Sequence, residues 1–124
     1  MNSNEQIIND FIAAWARLDA NAVTEFFTDD AVYHNIPMKV VTGKENIRKA
    51  IPKFMRGVKE LNFEIIHQVA AGNLVMNERL DHSAMEDGKK FSLPVFGVFE
   101  LEGGKIKAWR DYFDLETFTK AMAA

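Results

Sequence analysis

The sequence predicts an α+β domain in which N-terminal helices cover one face of a mostly antiparallel sheet. Three observations carry this expectation. Apolar residues in the first third recur at helical spacing, after Lys59 the spacing changes to two, and short glycine-bearing turns separate the alternating runs. The chain has 124 residues, 48% of them hydrophobic, which suits one domain over 1–124 with a substantial core.

Ile7, Ile8, Phe11, Ile12, Trp15 and Leu18 mark the first helix, and Ser3 and Gln6 stand at capping-box spacing. Asp19-Ala20-Asn21 interrupts the pattern. A short helix then carries Ala22, Val23, Phe26 and Phe27, and Thr28-Asp29-Asp30 ends it. Residues 31–35 read as a strand with Ala31, Tyr33 and Asn35 on one face, Val32 and His34 on the other, and Pro37 as its stop. Thr42 and Glu45 repeat the capping-box spacing and begin a helix over 43–55, with Ile47, Ile51 and Phe54 as its buried stripe. Pro52 should kink that helix or end its regular part, and Gly57 is its stop. Four strands follow over 61–70, 74–82, 91–101 and 105–113, with turns at Ala71-Gly72-Asn73, Glu86-Asp87-Gly88 and Glu102-Gly103-Gly104. A final helical turn carries Leu115, Phe118 and Met122 and leaves little chain to cover a pocket.

The net charge of −3 and the lack of any basic run argue against nucleic acid or an anionic membrane as partner. No cysteine is present, so disulfides, thiol nucleophiles and thiolate metal sites are excluded. The polar start Met1-Asn2-Ser3-Asn4 lacks a signal-peptide apolar run, and no segment approaches the ~20 apolar residues of a membrane span. A soluble cytoplasmic protein is expected. His34, His67 and His82 lack metal-ligand spacing, and Gly103-Gly104 precedes no helix, so it reads as a hairpin turn and not a phosphate cradle. Neither a metal nor a cofactor is expected.

Alternation places the candidate residues on strand faces. Val75, Asn77, Arg79 and Asp81 share one face of their strand, opposite Leu74, Met76, Glu78 and Leu80. On the last strand Trp109, Asp111 and Phe113 share a face, opposite Arg110 and Tyr112. A carboxylate set between inward aromatics needs a partner or a proton, and Arg79 is the natural partner. Taken singly, Arg-x-Asp on a strand is an ordinary surface ion pair, and Tyr33 and Asn35 are ordinary strand residues.

Four segments together resemble the limonene-1,2-epoxide hydrolase family: Tyr33-His34-Asn35-Ile36-Pro37, Asn77-Glu78-Arg79-Leu80-Asp81, the run from Leu93 through Glu100, and Trp109-Arg110-Asp111-Tyr112-Phe113-Asp114. Their order and spacing also match, from about Asn4 to Phe118. The resemblance implies a strongly curved, mostly antiparallel mixed sheet forming a cone with an internal pocket, within the nuclear transport factor-like or cystatin-like superfamily. That superfamily also holds ketosteroid isomerases, polyketide cyclases and binding modules, so fold alone does not settle function. The resemblance further implies a cofactor-independent hydrolase adding water to an epoxide in one step to give a vicinal diol. Asp81, Arg79 and Asp111 would form an acid–arginine–base unit, and Tyr33 and Asn35 would hold the attacking water.

Epoxide opening needs an acid for the ring oxygen and a base for water, and two carboxylates serve both needs when they share one proton. Asp111 is expected as the base and Asp81 as the acid, although the swapped assignment satisfies the sequence equally. Phe54, Leu93, Val95, Trp109 and Phe113 are the expected apolar contacts of a small apolar epoxide. Rival readings are an isomerase- or cyclase-like enzyme with one carboxylate base, and a non-catalytic ligand-binding module. Phe96 and Val98, on the opposite sheet face, would be exposed in a monomer, which together with the resemblance points to a homodimer through the sheet.

Overall fold

Helix α1 (Ser3–Ala16) forms where the apolar stripe predicts it and buries Ile8, Phe11, Ile12, Ala14 and Trp15. The computed structural model describes residues 3–123. Ser3 already lies within α1, so the residue that would cap it falls outside the described residues, as do Met1 and Asn2 of the polar start. The Gln6 amide donates to Asp10 at 2.9 Å. Leu18 lies beyond the helix in the left-handed region (φ 55), where its N–H and that of Asp19 satisfy the carbonyls of Trp15 and Ala14.

Helix α2 (Ala20–Thr24) is capped by Asp19, whose carboxylate accepts from Ala22 N at 3.0 Å. It ends before Phe26 and Phe27, which the sequence pattern assigns to it. Phe27 instead opens strand β1 (Phe27–Asn35), which contains Thr28-Asp29-Asp30. The cause is tertiary: the Phe26 carbonyl accepts from Ile106 N (2.7 Å), and Phe27 registers with Ile106. Strand β2 (Val41–Thr42) pairs antiparallel with β1 and is too short to leave an alternation signal.

Because Thr42 belongs to β2, the second capping box does not form. Gly43 (φ 89) is the N-cap of α3 (Lys44–Met55), with no side-chain cap bond, and the Thr42 carbonyl accepts from the Asn46 amide. Pro52 lies inside α3, which continues to Met55. Ile47 and Ile51 are buried, whereas Phe54 is 41% exposed and leaves the expected core stripe.

The strands that follow are β3 (Val58–Ala71), β4 (Leu74–Met85), β5 (Lys90–Glu102) and β6 (Lys105–Tyr112). A nine-residue helix α4 (Leu115–Ala123) stands where one turn is expected. Sheet order is β2-β1-β6-β5-β4-β3. Among the described residues only β1 and β6 run parallel, so the sheet is mixed and open, with β2 and β3 at its edges. Bulges on β3 between Val58 and Glu60 and between Ile65 and His67 bend the edge of this cone-like sheet.

Phe11 sits at the centre of the core. Its ring meets Trp109 at 5.0 Å, Phe26 at 5.3 Å, Phe27 at 5.5 Å and Phe99 at 6.1 Å, all edge-on. This aromatic cluster anchors α1 against the sheet. On the outer face Phe96 is exposed as alternation predicts. Val98 is not: it registers between Met76 and Arg110, whose longer side chains share its face and leave it 9% exposed.

Candidate active site

Strand register brings the candidate residues together. Asn77 pairs with Gly97, Gly97 with Asp111, and Asp111 with Asn35, one row across β4, β5, β6 and β1. Arg79 and Asp81 follow Asn77 on the same face of β4, and Tyr33 precedes Asn35 on β1, registered with Trp109.

Arg79 is 1% exposed and gives all five of its N–H donors to side chains. Nε and Nη2 donate to the two Asp81 oxygens, each at 3.0 Å. Nη1 and Nη2 donate to the two Asp111 oxygens at 3.2 and 2.8 Å. The second Nη1 hydrogen goes to Asn77 Oδ1 at 3.0 Å. The guanidinium thus forks onto both carboxylates, which fixes their relative geometry. Its Cζ lies 5.1 Å from the centre of the Phe63 ring, a cation–π contact.

Burial alone would weaken Arg79's hold on its proton, but Asp111 and Asp81 more than offset this, so it stays a cation. Burial pushes the Asp81 carboxyl above the usual carboxylate range, against the lowering pull of Arg79. Burial and the neighbouring Asp111 hold the Tyr33 phenol far above its ordinary value, so it remains a donor. The Asn35 amide donates to Tyr33 Oη at 3.2 Å.

Behind this layer lie residues to which the sequence reading assigned no polar role. Trp109 Nε1 donates to Asp111 Oδ1 at 2.7 Å, and its ring stacks on Tyr33 at 4.3 Å and 4°. Trp109 therefore orients two candidate residues from the core, and it is not among the cavity-lining residues, contrary to its expected role as a substrate contact. Asn77 is held in turn by Gln68 (3.1 Å), and Gln68 donates to Asn9 of α1 (3.1 Å). Gly97 leaves the space in which this cluster assembles. A Cβ there would collide with Arg79 Nη1 and lie 2.8 Å from Asp111 Oδ1. The available signal was a glycine inside an apolar strand run, which marks a close approach.

The cavity measures about 270 Å³, near the lower end of small-molecule sites. Tyr33, Asn35, Asp81 and Asp111 form its polar wall, and Arg79 lies behind them. Of the expected apolar contacts, Phe54, Leu93, Val95 and Phe113 line it. Phe118 and Met122 of α4 line it too, so the segment after β6 does cover part of the pocket. Among the described residues no group of three histidines or carboxylates is placed to hold a metal ion, and no helix is long and apolar enough to cross a membrane.

The sequence model of the limonene-1,2-epoxide hydrolase catalytic domain matches residues 2–124. The chain belongs to the limonene-1,2-epoxide hydrolase family. Within that family's reach is the epoxide hydrolase EphG of Mycobacterium tuberculosis, which is 32% identical over 114 residues, 90% of this chain and 74% of that protein. An M. tuberculosis limonene-epoxide-hydrolase-like enzyme has a similar structure, with a TM-score of 0.85 and 26% identity over 99% of this chain and 91% of that one. A SnoaL-like polyketide cyclase candidate from Shewanella putrefaciens matches with a TM-score of 0.86 but 21% identity, over 99% of this chain and 98% of its own, which is a likeness of fold alone. Membership in the limonene-1,2-epoxide hydrolase family supports epoxide hydrolysis as the general reaction.

Proposed function

We propose that the protein opens an apolar epoxide with water in a single step, giving a vicinal diol, without a cofactor. The observation that carries this reading is Arg79 bonded to Asp81 and Asp111 together at the wall of an apolar cavity. Water sits between Asp111, Asn35 and Tyr33. It gives its hydrogens to Asp111 and the Asn35 carbonyl and accepts the Tyr33 hydroxyl, so its remaining lone pair faces the ring carbon. The new C–O bond forms as the ring C–O bond breaks. Asp111 takes the proton from water, and Asp81 gives its proton to the ring oxygen. The proton must then pass from Asp111 to Asp81, through the pair or by way of solvent, before the next turnover.

Two features favour Asp81 as acid and Asp111 as base. Burial favours the protonated form of Asp81. Asp111 is the register partner of Asn35 and so lies beside the water-holding residues. A cyclase- or isomerase-like reaction uses one carboxylate base with oxyanion donors and has no use for a base joined through Arg79 to a second carboxylate. The direct test is a panel of terminal, cyclic and terpene epoxides with chiral detection of diols. Diol from at least one supports the reading, and an enone isomerised with no diol from any epoxide would overturn it.

The raised Asp81 pKa gives a signed pH dependence. Turnover should fall as pH rises through it, because the acid loses its proton. The stability linked to Asp81 has the same sign: it is present while the carboxyl is protonated and is lost as pH rises through the folded-state value. A kcat–pH profile with no alkaline limb would contradict this.

The outer sheet face carries Ile66, Val69, Phe96 and Tyr112, all exposed. We propose that a second copy covers this face. Phe96→Glu should convert a dimer to a monomer by sedimentation equilibrium, and an unchanged mass, or a monomeric parent, would rule the interface out.

A further inference from the structure

The mouth of the cavity carries charge that the proposed hydrolysis does not use. Lys53, in the last turn of α3, and Arg56, just past its end, both line the cavity and are both exposed. Among the described residues neither has an ion pair. Nearby Lys89 differs, with Asp87 at 3.5 Å and the Met122 carbonyl at 3.0 Å. Among the described residues the only anions lining the cavity are Asp81 and Asp111, and Arg79 holds both.

A lysine in the last turn of a helix complements the carbonyls there. That accounts for Lys53 but not for Arg56, whose backbone is extended (φ −60, ψ 126). From Asp81 toward Arg56 the register runs through Phe63 and Leu93, Leu61 and Phe91, then Val58 and Met85, so the intervening wall is apolar apart from Ser83. The cavity therefore has a buried reacting end, an apolar middle and a cationic, solvated rim. An amphiphile with a terminal anion matches this order, since its stem is buried while its charge keeps water and gains two cations.

We propose that the preferred substrates are apolar epoxides bearing a carboxylate remote from the ring, held at the rim by Lys53 and Arg56. The inference rests on the epoxide-hydrolase reading of the same site. The probes are ω-epoxydecanoate, its methyl ester and a neutral cyclic epoxide, assayed for diol with the parent and the K53Q/R56Q double variant. The parent should favour the acid over the ester by about tenfold in kcat/KM, the scale of two exposed ion pairs. The ratio should shrink between about 0.05 M and 0.5 M salt as screening grows, and should fall to near one in the double variant. Equal use of acid and ester by the parent, or a preference that survives in the double variant, overturns the inference while hydrolysis itself stands. No diol from any of the three probes overturns the reading beneath it, and the inference falls with it.

Discussion

Asp111→Asn and Asp81→Asn should each lower kcat by about 10²- to 10⁴-fold, the range set by losing a positioned base or acid. Both carboxylates bond the same guanidinium, so each amide variant leaves Arg79 one anionic partner and the buried cation is not orphaned. Folding should therefore survive, with an ordinary melting transition and circular dichroism spectrum. The double variant leaves the buried Arg79 with no anionic partner and should lose stability as well as turnover. Initial rates of diol formation check this. Substantial turnover in either single variant would remove that residue from its assigned role.

Gly97→Ala should damage stability and activity together, although Gly97 touches neither water nor substrate in the proposed reaction. Its φ is not in the left-handed region, so what the position demands is space and not backbone freedom. The added methyl would overlap Arg79 Nη1 and approach Asp111 Oδ1 (2.8 Å) and Asn77 Oδ1 (3.1 Å), three atoms already tied to one another. Overpacking of this kind costs about 1–3 kcal/mol, and the hydrogen-bonded neighbours leave little room to relax. A shift of the fork by about 1 Å would lower kcat by about 10²-fold. Thermal melts and initial rates measure both effects. An alanine variant with parental Tm and kcat would mean the cluster tolerates displacement.

The parts of the fold that were legible in the sequence follow from strict periodicity. Alternation placed Arg79 with Asp81, Tyr33 with Asn35, and Asp111 among inward aromatics, and the register joins these faces. The resemblance, not alternation, supplied their convergence on one pocket. Gln68 was out of reach because the bulge between Ile65 and His67 inverts the parity of β3. Counting by twos from Leu61 points His67 inward and Gln68 outward, whereas the structure has His67 exposed and Gln68 half-buried against Asn77. Phe26 and Phe27 suited a helix by spacing, but pairing with β6 took them into and beside a strand. Trp109 was correctly assigned to the inward face. Whether an inward aromatic meets the substrate or the core depends on its neighbours, here Phe11 and Tyr33, and spacing does not encode these.

In the proposed reaction water itself, and not a carboxylate, attacks the ring. A single turnover with enzyme in excess over epoxide, in water enriched in heavy oxygen, tests it most directly. One heavy oxygen is expected in the diol and none in Asp81 or Asp111 by mass spectrometry of the peptides. An unlabelled first-turnover diol, with heavy oxygen in either carboxylate, would contradict it.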